Sequence, residues 1–259
     1  MGEASGAGPD ADRGADRDAE LARLRAELAE QREQQQAFLR AISHDLRSPV
    51  RHIVSYGQLV RELVQESNAD PSAVQYLDTI TQSARHLGQM IDGLIALARI
   101  GAAELHVQPL PLAEVLSDAV SQAQAACAER VVQWQLPEAQ GLPRVQADLA
   151  QLRDLLRLLL DNAVKFTRRQ PEARIAIAVV QEGERVQLTL QDNGAGFRPE
   201  HADQLFGVFQ RLHTVRDFEG LGLGLAMARR IVERLGGELS LQGQHGQGCT
   251  VTLRLPAAA

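Results

Sequence analysis

PSAVQYLDTITQSARHLGQMIDGLIALARI, residues 71–100, is the stretch that decides the fold. Val74, Leu77, Thr81, Ala84, Leu87, Ile91, Leu94 and Ala98 recur in it at three- and four-residue steps, the repeat of one helix face. Ahead of it, Ser67-Asn68-Ala69-Asp70-Pro71 carries turn chemistry and a helix start. Upstream of the turn a second seam runs through Leu46, Pro49, Ile53, Tyr56, Val60 and Leu63. That seam continues back through Leu21, Leu24, Leu28, Gln31, Gln35, Phe38 and Ile42, where the polar middle makes a weak coiled coil. Two long amphipathic helices with a short connection predict a helical hairpin over 21–103. One hairpin leaves each apolar stripe half covered, so two copies are expected to close a four-helix bundle as a homodimer. Gly, Ala, Asp and Arg dominate residues 1–20, a composition unable to bury enough surface to fold, and these read as a disordered lead-in.

Beyond Gly101 the pattern changes. Leu112–Cys127, Asp148–Thr167 and 222–235 read as helices. Val131–Leu136, Arg174–Gln181 and Arg185–Asp192 read as strands, the last two joined by Glu182-Gly183-Glu184. Glu238–Gln242 and Cys249–Leu255 form a closing hairpin around the glycine-rich 243–248. Helices laid on one mixed sheet make residues 104–259 a separate α/β sandwich, and the whole chain α+β.

The 259 residues are 44% hydrophobic but only 3% aromatic, so the core must be aliphatic. A formal net charge of −6 argues against a general nucleic-acid binder, which needs a basic face. The two cysteines, Cys127 and Cys249, lack metal-ligand spacing, and a reduced cytoplasmic protein is the expectation. No apolar run approaches the length of a membrane span.

Four segments carry chemistry. In Ser43-His44-Asp45-Leu46-Arg47-Ser48-Pro49, His44 falls roughly 150° from the mean direction of the helix seam, on the outward face. Pro49 costs about 3 kcal/mol inside a helix and frees the carbonyl of Asp45, loosening the backbone beside the histidine. Asp45 is placed to take an imidazole proton or hold its tautomer, leaving the other nitrogen nucleophilic. Read alone, such a histidine is as readily a solvated side chain. Asp161-Asn162-Ala163-Val164-Lys165-Phe166-Thr167 ends a helix. Asn162 offers a hard oxygen suited to Mg²⁺, and Lys165 is the sole lysine in a chain whose other basic residues are arginine. Asp192-Asn193-Gly194-Ala195-Gly196-Phe197 puts a carboxylate at a strand end beside bare backbone, and Gly220-Leu221-Gly222-Leu223-Gly224 opens a helix, aiming N–H groups at an anion.

Phe38-Leu39-Arg40-Ala41-Ile42 followed by Ser43–Pro49 closely resembles the phosphoacceptor box of sensor histidine kinases. With Leu205-Phe206-Gly207-Val208-Phe209-Gln210-Arg211-Leu212-His213, the later segments resemble, in order, the N, G1, F and G2 boxes of the same family's ATPase domain. The resemblance spans roughly Leu21 to Pro256 and is most similar to kinases of the phytochrome type. It implies a dimerisation and phosphotransfer hairpin followed by a catalytic domain of the GHKL (Bergerat) type. It implies His44 as phosphoacceptor with Asp45 as its base, and phosphotransfer to a response-regulator receiver domain. ATP and Mg²⁺ would be held by Asn162 (metal), Lys165, Phe166, Asp192, Gly194, Gly196, Arg211, Gly220, Gly222 and Gly224. An upstream sensor domain or partner would supply the input. Ser48 stands where the family carries Thr or Asn to position water for dephosphorylation. Leu158 and Leu221 replace an Asn and a Thr or Ser common in relatives, so the alternative is a degenerate kinase serving as a dimeric scaffold. The few residues from Val215 to Glu219 make a short lid, which implies modest ATP affinity and fast exchange.

Overall fold

The computed structural model describes residues 46–67, 71–212 and 217–258. The lead-in, the seam from Leu21 to Ile42, His44, Asp45, the turn residues 68–70 and residues 213–216 lie outside the described residues. The chain divides into two compact units, Met1–Gly88 and Gln89–Ala259.

In the first unit, helix α1 (46–66) is followed by α2, Pro71–Ala102, whose stretch from Gln89 onward belongs to the second unit. Val50 packs beside Gly88, Gly57 beside Thr81, and Arg61 pairs with Asp78 at 3.2 Å. Residue numbers rise on α1 as they fall on α2, so the helices form an antiparallel hairpin. A Cβ on Gly57 would stand 2.7 Å from Thr81 Oγ1, so the close approach there requires glycine. Val50, Gly57, Thr81 and Ala84 are buried in this contact. The seam read from sequence is a different stripe: Ile53, Tyr56, Val60 and Leu63 are exposed, Tyr56 and Leu63 by 66% and 64%. At 100° per residue the stripe centres about 90° from the Val50–Gly57 face, so α1 carries two apolar faces.

In the second unit, β2 (Val132–Gln135), β4 (Ala173–Glu182), β5 (Arg185–Asp192), β7 (Gly248–Pro256) and β6 (Glu238–Gln244) build one sheet in the order β2-β4-β5-β7-β6. The β2–β4 pair is parallel and the others antiparallel, which makes the sheet mixed as expected. Helix α4 (Leu149–Phe166) packs between α3 (Leu112–Ala126) and α5 (Gly224–Arg234). Its Leu152, Leu155, Leu156, Leu159 and Leu160 are almost wholly buried and join Ile175, Val186, Leu190 and Leu253 in the aliphatic core. Asp148 starts the helix by accepting from the N–H of Gln151 at 3.0 Å and of His106 at 2.9 Å. Burial opposes its charge, but the N–H groups of Gln151, His106 and Ala150 outweigh it and hold the carboxyl below its ordinary value.

The sequence reading omitted a small second sheet, β1 (Gln108–Pro111) paired with β3 (Arg144–Ala147). Two prolines in four residues hide β1, and β3 is as short; a bridge from Val145 to Ala257 ties β3 to the end of the chain. At the far end of α5, Arg234 donates to the carbonyls of Ile100, in the last turn of α2, and of Ala103, just past its end.

Replacing Leu155, which has no exposed surface, by alanine should cost about 3 kcal/mol through lost transfer energy and a residual cavity. Urea titration of Leu155→Ala against the parent chain measures that loss.

Candidate functional site

A cavity of about 350 Å³ opens in the second unit, where the end of α4, the end of β5 and the loop leading into α5 meet. Its wall is mostly aliphatic, contributed by Leu158, Leu205, Leu221, Leu223, Leu241 and Val251. Nine of the ten residues implied for the nucleotide line it: Asn162, Lys165, Phe166, Asp192, Gly196, Arg211, Gly220, Gly222 and Gly224.

Asp192 is the polar anchor. On β5 the core-facing positions are Val186, Leu188 and Leu190, and Asp192 is the next in that period-two series. The strand therefore delivers a carboxylate into the apolar layer, where it keeps 6% exposure. Burial pushes its carboxyl up to about 6, against donation from the N–H groups of Gly194, at 2.8 Å, and Cys249. Ionised, it has acceptor capacity for an exocyclic amine entering the cavity. Cys249 faces Asp192 across the β5–β7 register and also lines the cavity; burial, then the Asp192 charge, pushes its thiol up to about 12. The sequence reading missed Cys249, because its place follows only from the pairing of two strands far apart in the chain.

Two cations, Lys165 and Arg211, also line the cavity. Lys165 lies 4.4 Å from the centroid of the Phe166 ring, and its pKa is lowered by burial and by Arg211, partly offset by Glu219 and Asp161. Arg211 donates to the carbonyls of Phe218, at 2.5 Å, and Gly220. A polyanion would add to the partial countercharge of Glu219 and Asp161. Asn162 stands beside Gly224, its amide 3.7–4.0 Å from where a Cβ would be. Among the described residues no group of three or more His, Cys, Asp or Glu could hold a metal. Asn162 offers the cavity one hard amide oxygen, a donor type that suits Mg²⁺.

The glycines divide by role. At Gly222 (φ 74°) a Cβ would stand 2.5 Å from the Gln210 carbonyl, and at Gly196 (φ 59°) 1.9 Å from that of Gln244. Both are needed where protein backbone meets protein backbone. Gly194 does not line the cavity; a side chain there would collide with the Phe166 carbonyl at 2.7 Å. Asn193 is likewise occupied structurally, donating to Glu172 O and accepting from the Arg174 N–H, both at 2.8 Å. Leu158 and Leu221 line the cavity without displacing Asn162 or Lys165.

In the first unit, Ser48 lies half-buried on α1, and Pro49 sits within that helix. His44 and Asp45 fall outside the described residues.

Residues 34–103 match the family model of the His Kinase A (phospho-acceptor) domain. Residues 147–259 match that of the histidine kinase-, DNA gyrase B- and HSP90-like ATPase. The chain is 30% identical over 245 residues to the methanogenesis regulatory histidine kinase FilI of Methanothrix harundinacea, covering 92% of this chain and 27% of that protein. It is 28% identical to cyanobacterial phytochrome A of Nostoc sp., covering 92% and 30%. The chain thus spans less than a third of the length of these curated relatives. Among solved structures, full-length ShkA in complex with AMPPNP matches with a TM-score of 0.61 and 26% identity, over 86% of this chain and 46% of that one. The nucleotide-free catalytic domain of histidine kinase ThkA, at 21% identity and a TM-score of 0.50, shares the fold over 58% of this chain and 95% of that one.

Asp192 sets two opposite pH responses. Its folded-state pKa lies above the unfolded value near 3.8, so protonation stabilises the ligand-free fold. That stability, on the order of 2–3 kcal/mol, is complete below about 4 and lost as pH rises through about 6. Adenine-nucleotide affinity should move the other way, falling as pH drops from 7 to 5. Denaturation and nucleotide titration across that range, with Asp192→Asn flattening the first response, check both.

Proposed function

We propose that this chain, which belongs to the sensor histidine kinases, moves the γ-phosphoryl group of ATP onto the imidazole of His44. The observation that carries the proposal is the convergence of Asp192, Asn162, Lys165 and the Gly220–Gly224 loop on one cavity. Asp192 would accept from the adenine amino group, and Phe166 and the aliphatic wall would flank the base. Lys165 and Arg211 would hold the phosphate tail, with the N–H groups of the glycine loop at the start of α5. Mg²⁺, held through Asn162, would neutralise phosphate charge when bound.

The reaction is phosphoryl transfer by positioning. A neutral nitrogen of His44 attacks the γ-phosphorus in line, the bond from phosphorus to the β,γ-bridging oxygen breaks, and ADP departs. Asp45 holds the second nitrogen as the N–H tautomer and takes its proton as the phosphohistidine forms. The group then passes to an aspartate of a response-regulator receiver domain. Ser48, where relatives place Thr or Asn, is the candidate for orienting water in the reverse, phosphatase direction. The exposed stripe of Ile53, Tyr56, Val60 and Leu63 supports assembly as a homodimer, since a second hairpin would cover it. Input would arrive from an upstream sensor domain or partner through the seam at 21–42. Among the described residues no helix is long and apolar enough to cross a membrane. We place the protein in the cytoplasm, where ATP and receiver domains are found.

Incubation with γ-labelled ATP should yield acid-labile, base-stable label on the parent chain and none on His44→Gln. Label retained in that variant would sink the assignment. Tyr56→Glu combined with Leu63→Glu should shift the chain from dimer to monomer in sedimentation equilibrium while leaving nucleotide binding in place.

A further inference from the structure

Along α4 the cavity changes character. Leu158, Asn162 and Lys165 succeed one another at four- and three-residue steps on the helix face that lines it. Lys165 Nζ lies 3.5 Å from where a Cβ on Gly220 would stand, and Leu158 Cδ2 lies 3.9 Å from the same point on Gly224. The loop from Gly220 to Gly224 therefore runs beside α4 from the cation toward the leucine. The seven-residue step from Leu158 to Lys165 spans about 10 Å along the helix axis. Leu221 and Leu223 of the same loop close on Gly93, where a Cβ would overlap Leu223 Cδ1 and stand 3.6 Å from Leu221 Cδ1. Gly93 belongs with these residues to the second unit, and its missing side chain makes room for both leucines. Leu225 and Met227, in the first turn of α5, add to the apolar lining.

We propose that the cavity also takes a medium-chain alkyl anion of the fatty-acid class, its head on Lys165 and Arg211 and its chain against Leu158, Leu221 and Leu223. The charge of the two half-buried cations is offset only in part by Glu219 and Asp161, so an anionic head gains there. A leucine wall gives a polyphosphate nothing to bond, whereas leaving water for such a wall is what an alkyl chain gains. The volume of about 350 Å³ falls within the range of small-molecule sites. Such a ligand has no N–H to offer Asp192, so the site tells it from a purine by the groups each engages. Both ligands need Lys165 and Arg211, so they exclude one another, and the alkyl anion acts as a brake on phosphoryl transfer. The brake rests on the nucleotide reading of the cavity; the binding of the alkyl anion does not.

Isothermal titration calorimetry of the full chain with hexanoate, octanoate and decanoate, each below its micelle-forming concentration, reads the binding directly. Affinity should rise about threefold to fourfold per added methylene. An affinity indifferent to chain length overturns the apolar seat. 1-Decanol, with the same chain and no charge, should bind about tenfold more weakly than decanoate, and equal binding overturns the cationic seat. Leu158→Asn combined with Leu221→Thr should weaken decanoate about tenfold and tighten a fluorescent ATP analogue about threefold. Decanoate held unchanged by that variant puts the chain elsewhere, such as the exposed stripe of α1, and overturns the proposal. Asp192→Asn should lose the analogue and still bind decanoate. A parent chain that binds decanoate and no analogue upholds the alkyl site and sinks the nucleotide reading. One that binds the analogue and no decanoate sinks the alkyl site alone.

Discussion

A carboxylate buried at the end of an apolar strand is the constraint around which the second unit is arranged. Val186, Leu188 and Leu190 commit one face of β5 to the core, and the same alternation carries Asp192 into it. A buried carboxylate without partners is expensive, and the N–H groups of Gly194 and Cys249 offset only part of that expense. The neighbouring features follow from accommodating it. Gly194 must lack a side chain so that its N–H can reach Asp192 while its backbone passes the Phe166 carbonyl. Gly248 (φ 111°) must lack one because β7 crosses the Asp192 carbonyl. Asn193 fastens the strand exit to the start of β4. A ligand N–H donating to Asp192 would relieve the remaining cost.

The cationic part of the cavity follows the same logic with opposite sign. Lys165 is half-buried and feels the charge of Arg211, offset in part by the exposed Glu219 and Asp161. Two cations lining one cavity repel one another, and a bound polyanion would relieve that repulsion. The Arg211 guanidinium bridges this wall to the loop carrying Phe218, so the charge of the cavity and the position of the loop share one side chain.

Much of this was legible in the sequence because it rests on local pattern. The α2 seam, the β4–β5 hairpin with its glycine turn and the Asp148 start of α4 are each encoded within about ten residues, the range over which periodicity and capping act. The segments that line the cavity were legible because each carries a local mark: the sole lysine at 165, a carboxylate beside two glycines at 192–196, and alternating glycines at 220–224. Cys249 was not, since it owes its position to pairing between distant segments. The hairpin's own contact was misjudged for a related reason. The larger residues, Ile53, Tyr56 and Leu63, form the more conspicuous stripe, yet the partner helix within the chain packs on Val50 and Gly57, where small side chains permit close approach. The β1–β3 ribbon escaped notice because its proline-flanked strands are too short to show alternation.

The grip of Arg234 on the last carbonyls of α2 has a mechanical consequence. Helix α5 has 11 residues, a rod about 16 Å long. One end holds the terminus of α2 through Arg234, and the other begins at Gly224 in the cavity wall. The rod has little freedom to bend, because Ala228, Ile231 and Val232 are packed into the core along its length. A small rotation of the α2 terminus would therefore reach the Gly224 end of the cavity as a tilt, as a push on one arm of a balance lifts the other.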